Sequence, residues 1–456
     1  MAVALRYHFS GIAGQGMNPL ARLMRAWGHD VQGSDRAFDQ GKQGDLATTL
    51  TSLGIRLVPQ DGHGIAAGLD RFVYSTAVEA ETPEVCAARA LAIERVPRPA
   101  LLAEVVNSGA PGVAVAGTSG KSTVTGMLGW ILREAGSPVT VLGGAALVGE
   151  GVSGCFAAGP AHGPVVVEAC ESDGTLVGYR PSIGVILNVS RDHDELDALR
   201  RQFATFAGQC GTLLVNAGSA DARDIGAELG ARTFGRSDDA DFTLEVVSPG
   251  PDRARGTLRG VGGALALDVP QPGTHNLENA AAAAAVALTM DVAPAVIERA
   301  IRTFPGVARR FEIVGTTASG IRVVDDYAHN ADKIRAAITT AQAAGRVVAV
   351  FQPHGFGPAR FLRPELATLL PRLLRAGDRF CYAEIFYAGG TVAKGLSSRD
   401  LAADLPVALG VGHASDHAEV VDWVRREAQP GDTALLMGAR DPDLPTLARA
   451  VFAALS

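Results

Sequence analysis

No run of eighteen or more apolar residues occurs in the 456-residue chain, so no segment is expected to span a membrane. The opening residues MAVALRYHFSGIAGQGM lack a basic start followed by a long apolar core, so no export signal is read there. The five cysteines, Cys86, Cys155, Cys170, Cys210 and Cys381, never approach as a CxxC pair. They read as reduced, mostly buried thiols, and the expected location is the cytoplasm. Basic charge is also short: 41 Lys and Arg against 48 Asp and Glu leave a net charge of -7. That balance argues against a general binder of nucleic acid or other polyanions. Acidic ligands must then be held by local devices. Short-period repeats and low-complexity tails are absent as well.

What is present is a long globular chain. Its length suggests about three domains of ~150 residues each. Hydrophobic residues at 47% and charged residues at 20% fit folded domains. Strands and helices alternate in the first part: a strand over Arg6–Ser10, a helix over 17–27, a strand over Arg71–Ser75 and a helix over 84–93. That alternation implies a parallel sheet with crossover helices. A second unit starts near Pro111, with apolar strands at 113–116, 165–168 and 183–188 of the fully buried kind. The runs FTLEVV and ALALDV between Asp241 and Val269 predict a small antiparallel addition, and an alanine-rich helix is expected over 276–288. The alternation resumes beyond Phe311, with strands at 322–325, 347–351, 379–383 and 433–437 and helices at 333–343 and 365–374. The expected division is 1–108, 109–308 and 309–456, all α/β. The outer two are Rossmann-like, and the middle one is of P-loop ATPase type with a mostly parallel sheet.

The strongest chemical signal is Gly117-Thr118-Ser119-Gly120-Lys121-Ser122-Thr123, placed after a strand and before a helix. Such a loop turns backbone N–H groups inward around phosphate oxygens. Lys121 would neutralise the β/γ-phosphates, and the Ser122 hydroxyl would face Mg²⁺. The loop has two residues between its glycines where the general pattern has four. Read blandly, it is a strand–helix turn with an exposed lysine. Glu168 ends one apolar strand and His193 follows another, where open parallel sheets take their ligands. A hydroxyl, a carboxylate and an imidazole can share Mg²⁺ with phosphates and water. Singly, each is more often a loop residue; together they form a candidate metal set. Glu171, Asp173, Asp192 and Asp194 crowd the same region and could support the metal or touch the substrate.

A second glycine turn, Gly11-Ile12-Ala13-Gly14-Gln15-Gly16, also joins a strand to a helix. It can bind a pyrophosphate at the helix N-terminus, with Asp35 where a ribose hydroxyl would be held. The spacing is not GxGxxG, and a purely structural tight turn fits the segment equally well.

With these segments in place, the chain resembles the Mur ligase family over nearly its whole length, and most of all its alanine-adding branch. The matching stretches are HFSGIAGQGM (8–17), GSD (33–35), YSTAV (74–78), AGTSGKST (116–123), VVEACESD (166–173) and NVSRDH (188–193). They continue with GTHNLENAAAA (273–283), FPGVARRFE (304–312), VVDDYAHN (323–330), FQPH (351–354) and GLSS (395–398). The resemblance implies that Gly11, Gly14, Gly16, Ser34 and Asp35 belong to a UDP site. It implies that Lys121 and Ser122 meet ATP phosphate and Mg²⁺, with Glu168 and His193 as metal ligands. His275, Asn276 and Asn279 resemble the segment that meets adenine, although His275-Asn276 also reads as a helix cap. Arg310 and Asp325 resemble residues that reach the phosphates and ribose, and His329 sits where amino acid and nucleotide meet. The implied reaction is ATP-dependent. The carboxylate of UDP-N-acetylmuramate takes the γ-phosphoryl group, and an amino-acid amine then displaces phosphate to form an amide. The expected partners are a UDP-sugar carboxylate and an amino acid, with neither nucleic acid nor membrane, and the expected state is a monomer or homodimer.

The chain departs from the family pattern at several points. Serine stands at 122 where threonine is frequent. No lysine lies between Lys121 and Lys333, so the carbamylated lysine of some branches is absent. Asn330-Ala331 stands where the alanine-adding branch usually has His-Pro. Gly355 and Pro358 stand where that branch usually has arginines that hold the amino acid. Arg360 is the nearest remaining guanidinium, and its bland reading is a pair with a surface acid. The alternatives are a ligase that reattaches a peptide to the same nucleotide, one acting on another carboxylate, and a nucleotide-binding regulatory module without ligase activity. The last predicts a broken metal set, whereas Lys121, Glu168 and His193 are all present.

Overall fold

The computed structural model describes residues 4–75, 81–150, 155–171, 175–189, 196–260, 263–387 and 395–456. They divide into two compact units. One comprises Met1–Pro249, Ala254–Pro270 and Thr274–Val307, and the other Gly250–Arg253, Gln271–Gly273 and Ala308–Ser456. Among the described residues, no helix is long and apolar enough to cross a membrane.

The first unit holds two sheets. One has five parallel strands in the order Arg56–Leu57, Asp30–Ser34, Arg6–Ser10, Arg71–Tyr74, Glu94–Pro97. Its helix Met17–Ala26 buries Met17, Leu20, Leu23 and Met24, the spacing of one helical face. The other sheet has ten strands. Its parallel heart runs Arg232–Gly235, Thr212–Asn216, Ile183–Ile186, Gly112–Ala116, Val165–Glu168, Thr140–Leu142. Every residue of Gly112–Ala116 is buried, as expected of a strand covered on both faces. Phe9 of the first sheet, with Met17 and Leu20 of the helix beside it, shares one apolar cluster with Ala114, Val165 and Val167 of the second.

The antiparallel addition has three strands rather than the two runs expected: Phe242–Ser248, Ala254–Gly260 and Gly263–Val269. The middle one, ARGTLRG, buries Ala254, Gly256 and Leu258 in alternation, but two of these are too small to mark a strand by hydrophobicity. Phe242 pairs in parallel with Phe234, which joins the addition to the main sheet.

The alanine-rich helix spans Thr274–Thr289, and Ala280 through Ala287 are completely buried. It packs on the helix Lys121–Glu134 and on the strands of the addition. Methyl side chains permit that approach on every side.

The second unit has a six-stranded sheet in the order Glu312–Thr316, Arg322–Asp326, Thr433–Gly438, Val347–Gln352, Arg379–Ala383, Gly412–Ala414. All but the first edge strand run parallel. One helix begins far earlier than expected, at Phe356 rather than 365, and runs to Leu373. Gly355, at φ +71°, turns the chain into it, and Pro358 falls in its first turn, where a missing N–H costs nothing. Arg360 is therefore a helix residue rather than a loop residue.

Candidate active site

The strand Gly112–Ala116 delivers the chain into the Gly117–Gly120 loop. Gly117 has φ +144° and Gly120 φ +84°, the latter as the cap of the helix Lys121–Glu134. Space at both glycines is tight as well. A Cβ on Gly117 would lie 3.0 Å from Leu187 Cβ, and one on Gly120 would lie 2.6 Å from Asn279 Oδ1. The loop is pinned by Asn188, a residue not singled out from sequence. Its Oδ1 accepts from the Thr118 hydroxyl at 2.7 Å and the Ser119 amide at 2.8 Å, and its carbonyl accepts from the Thr118 amide at 3.1 Å. The neighbouring strand ends at Ile186 instead of 188, because Asn188 leaves it to hold the loop. An asparagine just past a buried apolar strand was the available signal.

Lys121 is the first residue of its helix, and its side chain is only 10% exposed. Its Nζ donates to Glu171 Oε2 at 2.8 Å and to the Gly117 carbonyl at 2.5 Å. Burial alone would lower the ammonium pKa, but Glu171 and then Glu168 outweigh it and hold Lys121 above the ordinary lysine value. The cation is thus kept charged inside the loop. Ser122 is buried beside it, and Thr123 is half-buried on the following position. Glu168 ends its strand in register with Val115, and its Oε2 accepts from the Gly144 amide at 2.7 Å. His193, Asp173, Asp192 and Asp194 lie outside the described residues. Among the described residues, no three His, Cys, Asp or Glu gather as a metal cluster. One carboxylate and one hydroxyl nevertheless suit Mg²⁺, which keeps waters and takes phosphate oxygens rather than a full protein cage.

The helix Thr274–Thr289 brings one of its predicted residues, Asn279, to the same loop. Asn276 is buried, Asn279 Nδ2 stands 3.5 Å from Asn276 Oδ1 while its own Oδ1 packs on Gly120, and His275 is exposed.

At the first glycine turn, Gly11 has φ +77°, and the amides of Gly11 and Ile12 bond to the Ser34 carbonyl at 2.8 and 3.0 Å. Asp35 accepts from the Ala13 amide at 2.9 Å and the Ala37 amide at 2.8 Å, so it braces the turn and caps a short helix. The turn lies so close to the next strand that a Cβ on Gly33 would sit 2.5 Å from Ile12 Cδ1. A Cβ on Gly14 would sit 3.2 Å from the Gly11 carbonyl, and one on Gly16 would sit 3.1 Å from the Arg98 guanidinium. Ser34, which the resemblance assigns to the UDP site, does not present its hydroxyl at the surface. Its hydroxyl is completely buried and donates to Glu84 instead.

The second unit assembles its own group. Arg309 and Phe311 both adopt left-handed backbone, φ +60° and +50°, on either side of Arg310. Non-glycine residues there cost of order 1–2 kcal/mol each. The conformation is held by bonds from the Phe311 amide to Asp326 at 2.7 Å and from the Tyr327 amide to the Arg309 carbonyl at 2.8 Å. Arg310 lies over the Tyr327 ring, 5.0 Å from its centre. Asp325, expected to reach the nucleotide, is 1% exposed and paired with Arg309 at 3.3 Å. Burial pushes the Asp325 carboxyl up to about 6, against the pull of Arg309. Because neighbours on a strand face opposite ways, the half-buried Asp326 is the more accessible of the two. His329 Nδ1 lies 2.8 Å from the Tyr327 carbonyl, which fixes the hydrogen on Nδ1. Burial, aided by Lys333, pushes its pKa down to about 4. Its ring meets that of His354 edge-on, 5.8 Å between centres. Arg360 is exposed early in its helix, its guanidinium near Gly395.

Three family models match in order: "Mur ligase family, catalytic domain" over residues 6–109, "Mur ligase middle domain" over 115–287 and "Mur ligase, glutamate ligase domain" over 309–440. The chain is 35% identical over 463 residues to a UDP-N-acetylmuramate–L-alanine ligase of Stenotrophomonas maltophilia, covering 96% of this chain and 93% of that one. A ligase of the same name from Halorhodospira halophila is 35% identical over 416 residues, with 87% and 82% covered. Among solved structures, the UDP-N-acetylmuramate–alanine ligase of Thermotoga maritima superimposes with a TM-score of 0.79 at 25% identity, covering 98% of each chain. A murein peptide ligase of Psychrobacter arcticus shares the fold, with a TM-score of 0.69 at 23% identity and 99% of each chain covered. Three α/β domains with mostly parallel sheets, matched throughout to these models and to relatives above 30% identity, place this chain in the Mur ligase family.

Proposed function

We propose that this chain is a cytoplasmic ATP-dependent ligase that joins an amino acid to the carboxylate of UDP-N-acetylmuramate through an acyl phosphate. The observation that carries this reading is the charged, buried Lys121, held by Glu171 in a tightly packed loop whose glycines at 117 and 120 adopt positive φ. The naming of relatives that cover most of the chain supports the substrate.

In the first step a muramyl carboxylate oxygen attacks the γ-phosphorus of ATP and ADP departs. In the second the amine nitrogen attacks the acyl carbon, phosphate leaves, and the amine loses a proton. Such transfers need alignment and charge neutralisation more than covalent help. Lys121 would exchange its bond to Glu171 for one to the transferring phosphoryl group. The loop amides, held open by Asn188, would donate to the remaining oxygens. Ser122, Glu168 and His193 would hold Mg²⁺, whose chemistry here is to offset phosphate charge. Arg310, presented by its strained neighbours, would meet the phosphates, and Asn276 and Asn279 the adenine. His329 would lie beside the incoming amine as a neutral imidazole. Arg360 would hold the carboxylate of the amine donor, which in a water-poor cleft needs a cation.

The test is ADP release with UDP-N-acetylmuramate and a panel of amino acids and short peptides. Turnover dependent on the sugar nucleotide supports the reading, and no turnover with any donor sinks it. Gly355 and Pro358 supply no side-chain donor, so the panel is expected to reveal a preference that differs from that of an ordinary alanine ligase. Efficient use of L-alanine alone would contradict that. Arg360→Ala should raise KM for the best donor about tenfold, the loss of one charge-assisted contact. An unchanged KM would remove Arg360 from the site.

A further inference from the structure

Beneath the first glycine turn runs a buried chain of hydrogen bonds that the reaction above leaves unused. Its members come from four elements: His8 and Ser10 on Arg6–Ser10, Gln32 and Ser34 on Asp30–Ser34, Arg56 on the edge strand, and Glu84 in the first turn of the helix Pro83–Ala90. His8, Ser10 and Ser34 are completely buried, and Gln32 and Glu84 nearly so.

The chemistry of the partners fixes the direction of every bond. Gln32 Nε2 donates to the Gly64 carbonyl at 2.7 Å, and its Oε1 accepts from the Arg56 guanidinium, so the amide has one orientation. The same nitrogen lies 3.0 Å from His8 Nδ1, which must therefore accept. The His8 hydrogen is then on Nε2 and points at Glu84 Oε1, 3.0 Å away. Ser10 donates to Glu84 Oε2 at 2.5 Å, and Ser34 donates to Oε1. Three donors from two strands thus converge on one carboxylate. Burial alone would raise the Glu84 carboxyl, but His8 and the two hydroxyls outweigh it and hold it below the usual carboxylate range.

A buried ion is costly unless fully satisfied, and a site needing only packing is better served by an apolar side chain. The location of this one is what distinguishes it. Ser10 and Ser34 are register partners at the carboxyl ends of adjacent strands. Gly11 begins the turn directly after Ser10, and Asp35 braces the turn directly after Ser34. The strand order reverses between Arg6–Ser10 and Arg71–Tyr74, the point at which open sheets take ligands. Glu84 follows the second of these strands and binds the end of the first.

We propose that Glu84 is a positioning residue for the nucleoside-diphosphate end of the substrate. Its carboxylate ties Ser10 and Ser34 together under the turn and so sets where the amides at the start of the helix Met17–Ala26 point. The inference rests on the proposed ligase function.

The experiment compares wild type, Glu84→Gln and Ser34→Ala as full chains. It measures UDP and ATP binding by calorimetry, KM for UDP-N-acetylmuramate and ATP, and melting temperature. Glu84→Gln should weaken UDP binding and raise the sugar-nucleotide KM about tenfold, the size of one lost charge-assisted bond. Ser34→Ala, which removes one donor of three, should do so about threefold. KM for ATP should stay within about twofold in both, a split that general destabilisation would not produce. If Glu84→Gln yields no folded protein, Ser34→Ala decides. UDP affinity unchanged in a folded variant overturns the proposal, as does an equal loss of UDP and ATP affinity with a lowered melting temperature. Failure of the wild type to bind UDP would overturn the ligase reading itself, and this assignment with it.

Discussion

The Gly117–Gly120 loop and the Gly11–Gly16 turn both leave a parallel strand and open a helix, yet they hold charge in opposite ways. The first encloses a cation, Lys121, and lends it a carboxylate, Glu171, that a phosphate can replace. The second encloses carboxylates, Asp35 and Glu84, and spends them on backbone amides, hydroxyls and an imidazole. A turn of the first kind can stabilise charge that develops during a reaction. A turn of the second kind can only hold a ligand with what its backbone presents. On the proposed ligase reading, the same local fold would serve transfer in one place and anchoring in the other.

The sharpest way to break this comparison is Lys121→Ala. It should reduce ADP release at least about a thousandfold, corresponding to several kcal/mol of transition-state stabilisation, with the circular dichroism spectrum retained. Normal turnover in the purified variant would place the chemistry elsewhere. Next in size come Glu168→Gln and His193→Ala, which should each lower the rate and raise the Mg²⁺ concentration needed at saturating ATP. If neither rate nor metal requirement moves, those residues do not bind the metal. Asp35→Ala probes the other turn. It should lower stability by about 1 kcal/mol, the cost of a lost cap, and raise KM for the sugar nucleotide without changing KM for ATP. A rise in both would remove the distinction between the turns.

The smallest effect extends the contrast to the second unit. Lys121 is buried among acids and held above its ordinary value, whereas His329, half-buried near Lys333 and Arg310, is pushed down to about 4 by desolvation first. Between pH 4 and the ordinary histidine value near 6.5, the unfolded chain binds more protons at this position than the folded one. Stability from His329 is therefore lost as pH falls through that window. The melting-temperature advantage of wild type over His329→Asn should widen by roughly 2 °C from pH 4 to pH 6.5. A constant gap would mean that the imidazole titrates normally.

The parts of this molecule legible in sequence are those whose cause is local. A buried strand, two glycines, a lysine and a helix announce the Gly117–Gly120 loop within a dozen residues. Asn188 does not stand out in the sequence, because the loop it holds lies about seventy residues away. The resemblance assigns Ser34 to the UDP site, but the letters around it do not show that its hydroxyl turns inward to Glu84, a residue fifty positions away. The strand Ala254–Gly260 hides because its inward residues are small, and the helix at Phe356 hides because Pro358 and Pro364 read as breaks. Asp325 and Asp326 are indistinguishable as letters, and the ion pair with Arg309 separates them.

The alanine helix Thr274–Thr289 has a consequence for how this chain tolerates change. Eight successive residues, Ala280 through Ala287, have no exposed surface, so no face of that segment can absorb a larger side chain. Each added methylene group forces movement costing typically about 1–3 kcal/mol. The movement would be passed along the helix axis to Asn279, whose amide already rests against Gly120. Substitutions far from any nucleotide would then act on the phosphate loop as a lever acts on its load, and the segment Ala280–Ala287 should tolerate only residues no bulkier than those already there.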